Sequence, residues 1–230
     1  MRMRLLVLGL CCASFAARAA DAPATGKITG RVIIAGLAPK LPTLPVTKDN
    51  KICGVNKPDE ALVIGTGGGI RNAVLWLSDV PAPKGGAAEK YRLEAQTCRY
   101  EPHVVIARAG ATLEVVDGDP VLHHPHAEVG EEKQWSFPMP IKGYAVPRPL
   151  PKAEVVRIGC EAHPWMRAWV VVIDSGVTGL SDELGAFTLS GVPPGKHKLK
   201  LWHERLGERE EDVEVAAGET LQKDVTLSPK

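Results

Sequence analysis

Short runs of β-branched residues recur along this chain between glycine and proline, and nothing in it reads as a long amphipathic helix. That pattern points to an all-β fold, because strands are short and turns must separate them. The chain has 19 prolines and 23 glycines, residues that mark turns and sheet edges rather than element interiors. Strands are expected near Ile28–Ile34, Ala73–Leu77, His103–Ala107, Thr112–Val116, Glu154–Ile158 and Ala168–Ile173. More are expected near Ala186–Ser190, Lys196–Trp202, Asp212–Val215 and Asp224–Leu227. Three segments read as loops: 35–50, the linker-like 81–89, and 137–151, whose prolines predict an irregular path. The spacing suits two β-sandwiches. One is expected over 90–174. The tail 176–228 has about four strands and lacks a first one, and the head 26–80 makes no complete sandwich of its own. Head and tail are therefore expected to pair with the middle domain inserted between them, although the sequence alone leaves that pairing open.

The N-terminus reads as an export signal. Met1-Arg-Met-Arg4 is basic, Leu5 to Ala17 is apolar, and Ala17-Arg18-Ala19 is a cleavage signal, so residues 1–19 are expected to be removed. The predicted location is periplasmic or secreted, with no membrane span after cleavage, because no other apolar run approaches the roughly 20 residues a spanning helix needs. Cleavage takes away Arg2, Arg4 and Arg18, which leaves 25 basic residues against 27 acidic ones. A chain without basic excess has no electrostatic footprint for nucleic acid. Cleavage also takes Cys11 and Cys12, leaving Cys53, Cys98 and Cys160. In an oxidising compartment an odd count implies one disulfide and one thiol with another task. Cys160 lies in a His/Met-rich motif, so the expected disulfide joins Cys53 and Cys98 by elimination.

That motif is Cys160-Glu-Ala-His163-Pro-Trp-Met166. Thiolate and thioether suit Cu(I), and imidazole suits both oxidation states of copper. Two histidines and a cysteine in a plane, with a weak axial methionine, make a blue-copper electron-transfer site. The motif offers three of those four ligands. Cys160 is expected to end a strand, His163 to sit in a tight loop stiffened by Pro164, and Met166 to begin the next strand. The fourth ligand must come from Asp117-Gly-Asp-Pro-Val-Leu-His123-His124-Pro-His126. His123 is favoured, with His124 and His126 as alternatives. One copper ion is the expected cofactor.

On these residues, 95–174 resembles a cupredoxin. Tyr100-x-Pro102, Gly110, Leu113-Glu-Val-Val-Asp117-x-Asp119 and His123 resemble that family's first strands and first ligand. Cys160-x-x-His163-x-x-Met166 resembles the short ligand loop of amicyanin, and Arg167-Ala-Trp-Val-Val-Val-Ile173 continues the likeness. The resemblance implies a Greek-key sandwich with His123, Cys160 and His163 as strong ligands and Met166 as the axial one. It also implies electron exchange through an exposed edge of His163, with Trp165 in an apolar docking patch, toward a periplasmic redox protein such as a cytochrome or a dehydrogenase. Where the family commonly has asparagine after the first histidine and serine or threonine after the cysteine, this chain has His124 and Glu161. Those two are expected to tie the ligand loops together by a charge-assisted bond. Where an aromatic residue often precedes the cysteine, the chain has Ile158-Gly159.

The tail resembles a carboxypeptidase regulatory-like domain, a smaller prealbumin-like (transthyretin-like) β-sandwich. The likeness rests on Asp182-Glu-Leu-Gly185, Phe187, Leu189 and Pro193-Pro-Gly195, with Gly26-Lys-Ile-Thr-Gly30-Arg-Val32 and Asn72-Ala-Val-Leu-Trp76-Leu77 resembling its first two strands. Such a module implies stability or partner binding, not catalysis. His103, His197 and His203 are expected to be structural. No second histidine-rich loop exists to complete another copper site, so an enzyme is the least expected class. A copper-delivery protein and a metal-free pair of sandwiches are the other readings.

Overall fold

The structure is a computed structural model and describes residues 24–37, 39–83 and 89–229. The expected signal segment 1–19 and residues 84–88 of the expected linker lie outside the described residues. The fold class is all-β, as the punctuation predicts. Among the described residues helix is confined to Asn50–Cys53 and a 3-10 turn at Thr66–Gly68. No described helix is long and apolar enough to cross a membrane.

Residues 90–172 build the first sandwich. One sheet runs in the order Glu132–Ser136, Pro125–Val129, Val155–Cys160, Arg167–Val172, Val104–Ala107. The facing sheet runs Ala145–Pro149, Thr112–Asp117, Lys90–Gln96, Arg99–Glu101. Leu93, Ala95, Leu113 and Val115 from one sheet meet Val156, Ile158, Ala168 and Val170 from the other in a single buried core. The alternation of these residues along their strands puts every second side chain on the inner face.

The second sandwich uses both ends of the chain. Gly26–Ile34 lies between Ala186–Val192, antiparallel, and the parallel strands Thr220–Gln222 and Val225–Leu227. Val74–Leu77 lies between Thr178–Leu180 and Gly195–His203, with Gly207–Val215 on the outer edge. The head of the chain thus contributes an interior strand to each sheet, and Ile28, Val32, Leu75 and Leu77 share a core with Leu189, Leu199 and Leu201. Gly30 is required there: a Cβ would stand 1.9 Å from the carbonyl oxygen of Lys223. The two sandwiches meet through Val104, Val171 and Ile173 against Val74 and Trp202. Trp169 and Trp202 pack edge to face with centroids 5.4 Å apart.

One expected loop is different. Segment 137–151 contains the strand Ala145–Pro149, paired antiparallel with Thr112–Asp117. Its prolines are tolerated because it is an edge strand, where one row of donors faces away from the sheet.

Candidate metal centre

Cys160 is the last residue of Val155–Cys160, and the next strand begins at Arg167. The turn between them closes when the Met166 amide donates to the His163 carbonyl at 2.9 Å. Upstream, Thr112–Asp117 ends in a turn in which the Asp119 amide donates to Asp117 Oδ1 at 3.0 Å. His123 then exchanges two backbone hydrogen bonds with Met139, at 3.1 and 2.7 Å. Cys160 pairs with Pro125, and the Glu161 amide donates to the His124 carbonyl at 2.9 Å, so the two loops that carry the candidate ligands are joined through the backbone. Gly159, just before Cys160, has a steric role. A Cβ there would lie 2.5 Å from His126 Nε2, so glycine lets the His126 ring cover this strand.

Three of the sequence-selected side chains converge. Nδ1 of His123 and Nδ1 of His163 are 3.1 Å apart. Cys160 Sγ lies 3.9 Å from the former and 3.8 Å from the latter. Both histidines are 0% exposed and Cys160 is 3% exposed. A first-row metal at about 2.0–2.1 Å from nitrogen and about 2.3 Å from sulfur in a trigonal plane separates N from S by about 3.8 Å and N from N by about 3.6 Å. The sulfur edges of the triangle match, and the nitrogen edge is slightly short. The donors are one soft thiolate and two imidazoles, the set that suits copper. Met166, also buried, follows at the end of the same turn.

The outer nitrogen of each imidazole has a carboxylate partner. His123 Nε2 donates to Asp119 Oδ2 at 3.0 Å. His163 Nε2 donates to Asp49 Oδ2 at 3.0 Å. An ionised carboxylate only accepts, so each pair keeps the outer nitrogen protonated and turns the inner one toward Cys160. Asp119 also accepts from the amides of Thr97 at 2.6 Å and Cys98 at 2.7 Å. Burial opposes its charge, but the hydrogen bonds from His123, Cys98 and Thr97 hold its carboxyl below the usual range. Burial likewise pushes the Cys160 thiol up, yet its contacts with the His123 and His163 rings and the hydrogen bond from the His124 amide bring it down to about 5. Burial disfavours a charge on His123, but Asp119 and the Cys160 thiolate raise it to about 9. The Cys160 thiolate and the His123 imidazolium therefore favour one another's charge.

The alternative first ligands point elsewhere. His124 Nε2 lies 3.0 Å from Ser136 Oγ, and His126 Nε2 lies 3.6 Å from Glu128 Oε1. The expected His124–Glu161 tie is indirect: their nearest charged atoms are 3.8 Å apart, and Ser136 Oγ reaches both at 3.0 Å. His103 bonds Glu204 of the second sandwich through Nε2. His197 bonds Asp79 and the Pro193 carbonyl, and the buried His203 is pushed down to about 4 chiefly by desolvation.

The expected exposed edge on His163 does not exist. Its ring is covered by the segment 44–57, the first half of which falls in the expected loop 35–50. Leu44–Pro45 pairs with Asn56–Lys57, closing the segment on itself, and the short helix Asn50–Cys53 lies at its tip. Cys53 is bonded to Cys98, the expected disulfide. Cys98 sits in the hairpin turn after Lys90–Gln96, where Thr97 and Cys98 both have positive φ. Both disulfide sulfurs lie within 4.8 Å of a ring nitrogen of His163. Trp165 is not a docking surface either: it is 9% exposed, and its indole Nε1 donates to the Cys98 carbonyl at 3.1 Å. The signal for this cover was Cys53 itself, whose pairing with Cys98 brings residues near 50 to the hairpin beside Asp119. The disulfide spans 45 residues, so the chain-entropy relation assigns it about 4 kcal/mol of stability. Replacing both cysteines with alanine is expected to lower the unfolding free energy of the metal-free protein by that order, read from urea midpoints. A loss under about 1 kcal/mol would mean that the unfolded chain keeps this loop closed without the bond.

No family model and no curated protein matches this chain. Solved structures that resemble part of it are cupredoxins and a cupredoxin-like enzyme. Amicyanin from Paracoccus versutus is 23% identical with a TM-score of 0.34, the match covering 43% of this chain and 96% of that one. A purple cupredoxin from Nitrosopumilus maritimus is 19% identical with a TM-score of 0.31, covering 36% of this chain and 98% of the other. A Cu-containing nitrite reductase from Thermus scotoductus is 20% identical with a TM-score of 0.32, and the match covers 40% of this chain and 25% of the enzyme.

Proposed function

We propose that this chain is an exported mononuclear copper protein that carries single electrons through a type 1 centre. The observation that carries this reading is the buried triangle of His123, Cys160 and His163, with donor atoms 3.1 to 3.9 Å apart. These three would hold the copper strongly, and Met166, buried at the end of the same turn, would be a weaker fourth ligand. When bound, copper supplies a one-electron couple. The protein's part is to hold the donors in one arrangement for both oxidation states, through the Pro164 turn, the Met139 backbone pairing and the two carboxylates. Burial of all three donors supports a carrier over a catalyst, since no substrate atom reaches them. Their enclosure beneath a disulfide-tied segment favours retention over copper delivery, which needs an exit path. The disulfide itself suits an oxidising compartment, periplasmic or extracellular. Electrons are exchanged with a periplasmic redox protein, a cytochrome or a dehydrogenase, and they pass through the covering residues rather than a bare imidazole edge. The second sandwich, resembling a carboxypeptidase regulatory-like domain, serves as a non-catalytic module for stability or partner contact.

Copper-loaded protein is expected to show an intense visible thiolate-to-copper band and to be reduced and reoxidised reversibly. Colourless, redox-silent protein with copper bound would defeat the carrier reading. Met166→Leu is expected to keep the band and raise the reduction potential, because an axial donor supports the more highly charged Cu(II) state. An unchanged potential would remove Met166 from the ligand set.

A further inference from the structure

We propose that Asp49 is a positioning residue of the metal centre, placed on His163 by the Cys53–Cys98 disulfide. The proposal rests on the copper reading above and adds a residue that lies 114 positions from His163 in the chain.

Asp49 occupies the N-cap position of Asn50–Cys53 but makes no side-chain cap hydrogen bond. An aspartate at that position ordinarily spends its carboxylate on the first amides of the helix. Here Oδ2 goes to His163 Nε2 instead, at 3.0 Å. The backbone is turned to allow it: Asp49 has φ 54 and ψ 34, the left-handed region that aspartate visits more readily than most residues. Its carbonyl accepts from the Ile52 and Cys53 amides, both at 2.9 Å, so residue 49 is fixed to the half-cystine by a single turn of chain. Cys53 in turn is bonded to Cys98, and the Cys98 amide donates to Asp119 Oδ2, the same oxygen that accepts from His123. A continuous chain of bonds thus runs from one histidine to the other: His123, Asp119, Cys98, Cys53, Asp49, His163.

This arrangement has a defined consequence for His163. A neutral imidazole carries its proton on one nitrogen only, and the carboxylate decides which. Asp49 keeps the proton on Nε2, which leaves the Nδ1 lone pair facing Cys160 and His123. The ring is also held in orientation, since His163 is 0% exposed and Asp49 stands on its outer side. The disulfide therefore does more than stabilise the fold. It fixes the residue that presents this ligand.

The test uses nitrogen NMR of the His163 ring in the metal-free protein and Cu(I) affinity measured against a competing chelator. Wild-type protein is expected to hold the Nε2–H tautomer. Asp49→Ala is expected to mix the tautomers and weaken Cu(I) about 10- to 100-fold, the usual cost of losing such a partner. Asp49→Asn keeps an acceptor oxygen and is expected to restore the tautomer and most of the affinity. Cys53→Ala/Cys98→Ala is expected to behave like Asp49→Ala although Asp49 is still present. Should that double variant fail to fold, the Asp49 pair decides alone, since its side chain is 31% exposed and its replacement leaves the core intact. Wild-type tautomer and affinity in Asp49→Ala would overturn the proposal, as would Asp49→Asn that is as damaged as Asp49→Ala. Wild-type protein that binds no copper would sink the reading of the centre, while the tautomer measurement would still report on Asp49.

Discussion

Copper-loaded Cys160→Ser protein is expected to be colourless. The visible band of a type 1 centre is charge transfer from thiolate sulfur to copper, and a serine hydroxyl neither ionises at ordinary pH nor offers a soft donor. The effect should be all or none in the spectrum and should leave the fold in place. Cys160 is 3% exposed, so the new hydroxyl is buried, at a cost of about 1–3 kcal/mol if it finds no partner. The His124 amide, now donating to Cys160 Sγ at 3.3 Å, is positioned to reduce that cost. Cys53→Ser supplies the contrast: it breaks the disulfide but keeps the thiolate, so a band should survive. Loss of the band in Cys53→Ser with Cys160→Ser unaffected would mean that the cysteine roles are reversed.

Metal affinity should climb steeply with pH. On the proposed ligand set, copper would require Cys160 as thiolate and His123 as neutral imidazole. In the metal-free protein the thiol is held at about 5 and the imidazole at about 9. Between those values the thiolate is ready but His123 carries a proton that binding must expel. Apparent affinity should therefore rise about tenfold per pH unit from about 5 to about 9 and level off above. Titration with a redox-inert divalent ion at constant ionic strength separates this from any change in potential. Affinity that is flat from pH 6 to pH 8 would show that His123 is already neutral. The same two shifts act on stability with opposite signs. His123, raised above its ordinary value of 6.5, stabilises the folded metal-free protein fully below that pH and loses this as pH rises through about 9. Cys160, depressed from 9.0 to about 5, contributes stability above its unfolded value that is lost as pH falls through about 5. The two groups form one coupled pair, so their contributions are shared rather than summed.

Much of the first sandwich was readable in the sequence because its inner strands are β-branched and bounded by turn residues. Val155–Cys160 and Arg167–Val172 fall within a residue or two of expectation. Lys90–Gln96 was missed although Tyr91, Leu93 and Ala95 alternate along it. Four of its seven residues are charged or amide side chains, which masks a period-two pattern carried by one large aliphatic residue. Pro125–Val129 is hidden for a different reason: His126 stands in the histidine run as an alternative first ligand, and it is a strand residue packed over Gly159.

The spacing Cys160-x-x-His163-x-x-Met166 and the single cysteine left over after one disulfide were legible in one dimension, because a tight turn brings near neighbours together whatever surrounds it. Tertiary structure decided which upstream histidine meets them. The sequence favours His123 but leaves His124 and His126 open, and the backbone pairing with Met139 and the strand register at Cys160–Pro125 turn His123 inward. Tertiary structure also decided that head and tail share one core, since strand pairing depends on register and burial across more than 150 residues of intervening chain. The cover over His163 belongs with these. Asp49 looks like an ordinary loop aspartate in sequence, and its role exists only because the disulfide folds a distant segment back onto the centre, where burial makes a single hydrogen bond decide how a ligand is presented.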